Sequence, residues 1–568
     1  MTAETKNCQN CKTAFVVESE DFSYYAKIKV PPPTFCPDCR LQRRLAFMNL
    51  MNLYHRKCDL CKKDGISMFH PSAPYRVYCH TCWWSDAWDP LDYGRDVDFN
   101  RPFLEQYNEL LHEVPIIGLT VDTTNVNSPY VNLAGHVKNS YLIFHADFDE
   151  DCLYGFYVVN DKSCVDCSLM MNSELCYDSM HGYKCSGCVG LRSQVTESLN
   201  CAFLKDCDNC QDCFGSANLR GKKYYIFNKP YSREGYLEEM RKWDLGSYTT
   251  YKEAERRAHE AWESVPPCPY FMDFSVNCTG NNIFESKNCK DSFEVIAAQD
   301  SRFVMMQYLP TTKDCYDTTS WGNNASLCYE ASNVGEGAAE VRFSQESGIN
   351  AFDIEYSKAA LNGARHQFGC SAVRKTPYCI LNKAYSEDEY KALREKVVAH
   401  MDAMPYADAV GNMYRYGEFF PLEFMPFPYN ITLAHDFFPL TKEEAVAKGL
   451  RWHDDEPPAH AITMKAGDLP DHIKDADEGI LKQVIECAKC GRGFRVIDAE
   501  LRFLKNRNLP LPRECPFCRV TEKIRLWAER RKMTARTCAS CGTKFKACYT
   551  EAEAPKILCR DCWLKQLP

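Results

Sequence analysis

The sequence has no long hydrophobic run: nowhere in its 568 residues do about 18 apolar residues follow one another, which is the length that a membrane-spanning helix needs. The first residues, MTAETKNCQN, contain neither the basic start nor the apolar stretch of a secretory signal. These absences argue against a membrane protein and against a secreted one. We therefore expect a cytoplasmic protein with no membrane partner.

Catalytic motifs are also missing. The sequence has no His-Glu-x-x-His zinc-protease motif and no Gly-x-Ser-x-Gly nucleophile motif. Residues 215–222 superficially resemble a phosphate loop, but five residues separate Gly215 from Gly221, where such a loop has four, and Lys223 stands where Ser or Thr would bind magnesium. We expect a non-enzymatic protein, and an enzyme whose site is built from residues distant in sequence remains the alternative.

Cysteine, in contrast, is abundant, and charge is unevenly distributed. The 34 cysteines, in a chain without a secretory signal, favour metal thiolates and buried thiols over disulfides. Basic residues exceed acidic ones by 3 in residues 1–90 and by 11 in residues 482–568, whereas acidic residues exceed basic ones by 23 in residues 91–481. A polyanion would be attracted to the two ends; alternatively, the basic ends dock on their own acidic middle.

Sixteen of the cysteines form eight Cys-x-x-Cys pairs at the two ends of the chain. At each end, the first two pairs are separated by 24 residues and the next two by 17, so the whole arrangement is duplicated. The pairs are Cys8/Cys11, Cys36/Cys39, Cys58/Cys61, Cys79/Cys82, Cys487/Cys490, Cys515/Cys518, Cys538/Cys541 and Cys559/Cys562.

This spacing predicts four structural zinc sites. Two intervening residues let a tight turn direct both sulfurs at one ion, and two such turns complete a tetrahedral thiolate shell with no open position for catalysis. Four thiolates per ion also supply folding free energy, on the order of 10 kcal/mol per site, that modules this small do not obtain from a core. We expect four bound Zn²⁺ ions.

Two segments carry a family resemblance. Residues 486–519, ECAKCGRGFRVIDAELRFLKNRNLPLPRECPFCR, resemble the zinc-ribbon domain family; residues 7–40 resemble it less closely, because Lys12 follows Cys11 where the family has Gly. The whole chain resembles a group of large zinc-ribbon proteins of candidate-phyla bacteria. That resemblance implies zinc binding and a cytoplasmic location, and it implies no activity.

Between the two ribbons of each end lies a basic segment, residues 40–57 and 519–536, that we predict to be helical. Leu41, Leu45 and Met48, like Val520, Ile524 and Trp527, recur at helical spacing and predict a buried stripe. Basic residues, Arg40, Arg43 and Arg44 among them, are then expected to face outward, where they would contact phosphates or form a solvated helix face. The candidate nucleic-acid contacts are Arg519, Lys523, Arg525, Arg530, Arg531, Lys532 and Arg536.

The acidic middle contains a short repeat. Its markers are Ser128, Ser140, Cys152, Cys164, Cys176, Cys188, Cys201, Cys213 and Tyr225, at steps of 12 or 13 residues, and a second run has Cys289, Ser301, Cys315 and Cys328. Such recurrence predicts a β-solenoid of stacked coils, with 12 residues forming either a whole coil or half of a longer one. The marker cysteines are expected to form a buried column of free thiols, with extra metal sites as the alternative.

Each repeat run ends in a common signature. Residues 214–236 and 368–390 share Phe, Arg, Asn, Lys, Tyr and Ser at corresponding positions. Ser386 with Glu389 forms a helix-capping box, so we expect a helix to follow each run and to cover its last coil. A binding role for the shared Asn-Lys-x-Tyr is the alternative. Trp83, Trp84, Trp88 and Tyr93 are expected to pack a ribbon onto the solenoid, with base stacking as the alternative.

The predicted fold is mainly β: a duplicated β-solenoid core with intervening helices, flanked at both ends by tandem four-cysteine zinc ribbons. We infer a zinc protein whose basic ends bind RNA, DNA or a ribonucleoprotein, or, alternatively, a scaffold whose acidic solenoid binds a protein partner while the ribbons act as caps. The predicted divisions are 1–90 (ribbons), 91–127 (connector), 128–231 (first solenoid), 232–265 (helices), 266–385 (second solenoid), 386–452 (helix and irregular segment), 453–481 (linker) and 482–568 (basic ribbons).

Overall fold

The computed structural model describes residues 2–308, 311–322, 325–454 and 460–567; part of the predicted linker, residues 455–459, lies outside them. The chain divides into two compact units, Met1–Leu119 with Phe271–His453, and Thr120–Tyr270 with Asp454–Pro568. Unit 1 therefore combines the N-terminal ribbons with the second solenoid, and unit 2 combines the first solenoid with the C-terminal ribbons. The mainly β fold, with solenoids and terminal four-cysteine clusters, is confirmed.

The helices lie mostly in the ribbons and next to the solenoid ends. They are α1 Ser19–Lys27, α2 Pro37–Ala46, α3 His80–Trp83, α4 Phe103–Glu113, α5 Arg233–Met240, α6 Tyr248–Glu263, α7 Glu387–Ala403, α8 Leu433–Phe437, α9 Lys442–Ala447, α10 Asp498–Arg507, α11 Pro516–Glu529 and α12 Arg560–Leu564. Short 3-10 helices are Pro90–Tyr93, Leu422–Phe424, Tyr429–Ile431, Ala466–Asp468, Ile473–Asp475 and Glu478–Lys482.

The strands form two long parallel stacks, a shorter third one and several small ribbon sheets. They are β1 Glu4–Asn7, β2 Ala14–Val17, β3 Tyr54–Lys57, β4 Asp64–Ser67, β5 Val77–Tyr78, β6 Ile116–Ile117, β7 Val131–Gly135, β8 Tyr141–Asp147, β9 Leu153–Val159, β10 Ser168–Met171, β11 Met180–Tyr183, β12 Arg192–Thr196, β13 Lys205–Asp208, β14 Tyr225–Ile226, β15 Lys229–Pro230, β16 Met272–Asp273, β17 Gly280–Phe284, β18 Ser292–Ile296, β19 Met305–Gln307, β20 Thr319–Trp321, β21 Ser332–Val334, β22 Ala339–Arg342, β23 Gln345–Ser347, β24 Phe352–Glu355, β25 Arg365–Phe368, β26 Cys379–Ile380, β27 Lys383–Ala384, β28 Tyr406–Ala407, β29 Met413–Tyr414, β30 Met464–Lys465, β31 Ile485–Glu486, β32 Gly493–Phe494, β33 Thr534–Thr537 and β34 Lys544–Ala547.

The register of the first solenoid shows that 12 residues form one complete coil. Strands β7 to β13 pair in parallel in chain order, and Tyr141 pairs with Leu153 while Ser168 pairs with Met180. Each partner therefore lies 12 positions further on. The open choice between a whole coil and half a coil is resolved in favour of the whole narrow coil, and the second solenoid follows the same plan with looser steps.

A left-handed residue at every third position gives the coil its shape. From Leu133 to Ser193 every third residue has positive φ, so each coil turns four corners and has four sides of three residues. One residue per side points inward, and these residues, such as Val131, Ala134 and Val137, are buried. The coil is narrow because the backbone turns at every third residue. The sequence repeat shows only the period of 12.

The marker cysteines do form an internal column, as predicted. Cys152, Cys164 and Cys176 are at most 1% exposed. The Cys152 thiol donates to the carbonyl oxygens of Glu150 and Asp161, at 3.4 and 3.5 Å, and the next cysteines repeat this pattern. The thiols thus bond to carbonyls that also accept backbone N–H groups of neighbouring coils, and among the described residues the groups that could hold a metal ion do not include them.

The shared signature caps the last coil of each solenoid. Asn228 accepts the N–H of Ala217 at 2.8 Å and donates to its carbonyl at 3.1 Å, and Asn382 does the same to Ser371 at 2.8 and 2.9 Å. The amide replaces the strand that a further coil would provide. The shared asparagine therefore has the capping role. The predicted capping box of Ser386 and Glu389 begins α7, and a second capping box, of Thr441 and Glu444, begins α9.

The segment 232–265, predicted to contain helices, holds α5 and α6. The prediction for the connectors needs correction. The basic connectors are helical only in their first part, because residues 54–57 and 534–537 are the opening strands of the second ribbons. In the described part of the chain no helix combines the length and the apolar character that crossing a bilayer requires.

Candidate metal centres

All sixteen predicted ligands come together as four separate tetrads. Within each tetrad the sulfur atoms lie within 4.8 Å of one another. The separation is 3.6 Å for Cys11–Cys36 and 3.8 Å for Cys490–Cys515. Four sulfurs placed tetrahedrally at about 2.3 Å from a zinc ion are about 3.8 Å apart. The tetrads therefore fit Zn²⁺, or another ion that accepts four thiolates, without rearrangement.

Each first pair of cysteines closes a tight turn that ends in a left-handed residue. In the C-terminal ribbons this residue is Gly491, with φ of 74°, or Gly542, with φ of 73°. In the N-terminal ribbons Lys12 and Lys62 adopt the same conformation, with φ of 63° and 62°. Lys12 therefore forms the same turn as the glycine of the family pattern. The turn is strained there, because a residue with a Cβ atom disfavours the left-handed conformation.

Backbone N–H groups prepare the sulfurs for metal binding. The N–H of Cys515 points at Cys487 Sγ at 3.1 Å, and the N–H of Cys79 points at Cys58 Sγ at 3.2 Å. Burial alone would raise the pKa of Cys58, but the N–H groups of Cys79 and Cys61 lower it to about 6. One thiol in such a tetrad is therefore ionised near neutral pH even before an ion binds, which favours metal capture.

The connector helix of unit 1 overturns the prediction that its arginines face outward. Arg40, Arg43 and Arg44 are at most 2% exposed. Arg40 and Arg44 both bind the carboxylate of Asp317, at 3.0 and 3.2 Å. Arg43 binds Glu330 at 2.6 Å. The predicted stripe of Leu41, Leu45 and Met48 is buried as expected, so the helix is enclosed on both its apolar and its basic side.

The connector helix of unit 2 repeats this arrangement with fewer charges. Arg519 pairs with Asp166 and, at 3.0 Å, with Glu500. Lys523 pairs with Asp178 at 2.7 Å. The side chains of Arg519 and Lys523 are 11% and 6% exposed, so these two candidate nucleic-acid contacts are engaged with the solenoid and cannot reach a phosphate.

Of the other five candidate contacts, some are bound within the protein and others are exposed. Arg530 binds Glu553 at 2.5 Å, and Arg536 donates to the carbonyls of Tyr549 and Thr550 at 2.9 and 2.8 Å. Arg525 and Lys532 are exposed and Arg531 is half-buried. The predicted cluster is therefore not one continuous basic surface.

The predicted aromatic group packs in unit 1 as expected. Arg374 of the solenoid signature lies over the rings of Trp83, Trp84 and Trp88 at 4.5, 5.0 and 5.5 Å. Its counterpart in unit 2, Arg220, lies over Trp563 at 5.5 Å. The shared signature Arg thus joins the last coil to the second ribbon in both units.

Sequence reasoning missed the solenoid acids that receive the basic helices. Asp166, Asp178, Asp317 and Glu330 all occupy left-handed corner positions, immediately after outward residues of consecutive coils. The available signal was an acidic residue at the same place in adjacent repeats, directly after valine in one case and after tyrosine in the other three. A comparison of the chain with models of protein families gives no match, and neither does a comparison with curated proteins.

Proposed function

We propose that this protein is a non-enzymatic scaffold, stabilised by four zinc ions, that binds protein partners through solenoid faces which its own ribbons leave uncovered. The observation that carries this proposal is the internal use of the basic connectors. Arg40, Arg44, Arg519 and Lys523 neutralise buried or half-buried carboxylates of the solenoids. Much of the excess positive charge at the ends therefore has a structural role.

One uncovered face of the first solenoid suits a protein partner. Val159, Met171 and Tyr183 pair in register on adjacent strands. Val159 and Met171 are half-exposed, and Tyr183 is 37% exposed. A flat row of apolar and aromatic side chains with polar neighbours is typical of protein interfaces.

The test compares the full zinc-loaded chain with the double variant Met171→Glu/Tyr183→Glu as baits in extract of the cells that encode it. We expect the double variant to lose at least about tenfold of the specifically captured protein, because two charges enter a desolvated interface. The control is Lys162→Ala, at an exposed position next to a corner of the same solenoid. Equal capture by all three baits would contradict the proposal.

A second candidate function is RNA or DNA binding by the last ribbon. Lys544 and Lys546 are exposed on β34 on either side of Phe545, and Arg525 and Lys532 are exposed nearby in sequence. Titration of the full chain with mixed RNA between about 50 and 200 mM salt tests it. Salt-dependent binding whose slope falls by about two in Lys544→Glu/Lys546→Glu would favour this function over the scaffold.

A further inference from the structure

A cavity of about 250 Å³ lies at the end of the first solenoid in unit 2. It is lined by the last coil, by the hairpin β14–β15, by the residues after α6 and by the end of the C-terminal ribbon. Its walls are Asn218, Leu219, Tyr225, Pro266, Trp563 and Gln566. Asn218 is 7% exposed and donates to the Pro266 carbonyl at 2.8 Å, while its Oδ1 atom has no hydrogen-bond partner in the described part of the chain.

Because the two units are duplicates, each wall of this cavity has a counterpart in unit 1. Trp563 Nε1 donates to the Pro266 carbonyl at 3.2 Å, and Trp83 Nε1 donates to the Pro115 carbonyl at 3.1 Å. By the alignment of the shared signature, Leu219 corresponds to Val373, Tyr225 to Cys379 and Asn228 to Asn382.

In unit 1 the corresponding space is filled by residues 88–91 of the same chain. Leu91 packs against Cys370, Val373 and Cys379. Asn382 uses the second hydrogen of its amide to bind the Pro90 carbonyl at 2.9 Å.

The tryptophan ahead of this proline is held as well. Trp88 Nε1 donates to the carbonyl of Trp83 at 3.0 Å, and its ring lies 5.5 Å from the Arg374 guanidinium. A Trp-Asp-Pro-Leu segment therefore covers the capped coil of unit 1.

In unit 2 the receiving groups are present without such a segment among the described residues. Asn228 Nδ2 donates to the Ala217 carbonyl and, within the described ranges, makes no second bond like the one from Asn382 to Pro90. Asn218 adds a buried acceptor at a position where unit 1 has Ala372. The cavity thus has an apolar floor, one unused donor and one unused acceptor, which suit a peptide that offers an apolar side chain, a carbonyl and an N–H group.

We propose that this cavity binds a Trp-x-Pro-Leu segment of a partner protein, which begins a 3-10 turn at its proline as residues 90–93 do in unit 1. The leucine packs on Leu219 and Tyr225, the proline carbonyl accepts from Asn228, and a peptide N–H donates to Asn218. This inference rests on the scaffold function and names the chemistry of one partner for it, at a site separate from the row Val159, Met171 and Tyr183.

The experiment titrates the full zinc-loaded chain with a fluorescein-labelled peptide of sequence SDAWDPLDY, the sequence of residues 85–93, and follows fluorescence anisotropy. We expect saturable binding that weakens at least about tenfold when the peptide leucine becomes aspartate. Asn228→Ala is expected to weaken binding by a similar factor. The matched variant Asn382→Ala is expected to leave it unchanged, because its site is already filled.

A second measurement does not depend on how well these variants fold. A peptide with a photoreactive leucine at the leucine position should crosslink to residues 217–228 or 563–567. Crosslinks elsewhere, or no binding up to about 1 mM peptide, would overturn the proposal. Tyr183→Glu should leave peptide binding intact, because Tyr183 lies outside the cavity. If the unaltered chain captures a partner protein but does not bind the peptide, the cavity proposal is rejected and the scaffold function is not.

Discussion

The N-terminal and C-terminal ribbon pairs carry out the same task with different residues. Both hold four thiolates per site at matching spacing, and both insert a helix whose basic residues pair with corner carboxylates of a solenoid. The N-terminal helix uses three buried arginines, whereas the C-terminal helix uses Arg519 and Lys523. In both units the ion pairs lie between the connector helix and the solenoid corners, so their location follows from the duplicated backbone. The number of charged side chains that form them differs between the units.

Metal removal should give the largest effect and should affect both pairs. Replacing one buried ligand at either end, Cys36→Ser or Cys515→Ser, is expected to release one equivalent of zinc. Each should unfold its first ribbon, because a structural site contributes on the order of 10 kcal/mol. Thermal melting followed by metal analysis checks this. Retention of four equivalents by either variant would contradict the shared tetrahedral site.

Breaking the ion pairs should distinguish the two helices. Arg519→Met leaves Asp166 buried without its direct partner and is expected to destabilise unit 2 by about 3–5 kcal/mol. Arg44→Met should cost less, because Asp317 keeps Arg40 at 3.0 Å. Denaturant melts of the two variants provide the measurement. The triple variant Arg519→Met/Asp166→Asn/Glu500→Gln, which also neutralises the second carboxylate that Arg519 pairs with, should regain most of the loss, and if it does not, the ion pairs are not the cause.

The interior of the first solenoid contains a buried carboxyl group, that of Asp149. Burial raises the pKa of Asp149 to about 8, against an ordinary value of 3.8. The folded state therefore keeps this proton while the unfolded chain releases it, and stability falls as pH rises from about 4 to about 8. Asp149→Asn keeps the acceptor for the Asp161 N–H, at 2.9 Å in the parent protein.

We expect Asp149→Asn to raise the melting temperature at pH 8 and to change it little at pH 4. Melts across this range check the expectation. Asp151→Asn, on an exposed corner, is the control and should show no such trend. An equal gain for Asp149→Asn at both pH values would contradict the account of a buried neutral carboxyl.

The smallest effect concerns the turns that close the cysteine pairs. Lys12 and Gly491 occupy the same left-handed position, so Lys12→Gly should stabilise the first ribbon by about 1 kcal/mol and Gly491→Lys should destabilise its counterpart by a similar amount. Nothing lies within 4 Å of a Cβ added at Gly491, so only backbone strain is tested. Urea melts measure both, and equal stability of each variant and its parent would remove strain as an explanation.

The sequence predicted what is periodic and local, and it failed where contacts join distant segments. Cysteine spacing located the sixteen ligands, and repeat spacing located the coils. The helical stripe of Leu41, Leu45 and Met48 correctly predicted burial, but the outward placing of Arg40 was wrong. Its partner Asp317 lies 277 positions away in the chain. The repeated acids of the solenoid were visible in the sequence, but nothing in the sequence near Arg40 indicates that it pairs with one of them.

The most direct test of the central claim is the metal content of the purified full chain, measured together with the sulfur coordination of the metal. The account predicts four equivalents of zinc, each bound to four sulfurs at about 2.3 Å. Fewer than four equivalents in protein whose sixteen terminal cysteines are reduced, or nitrogen and oxygen in the coordination shell, would contradict it.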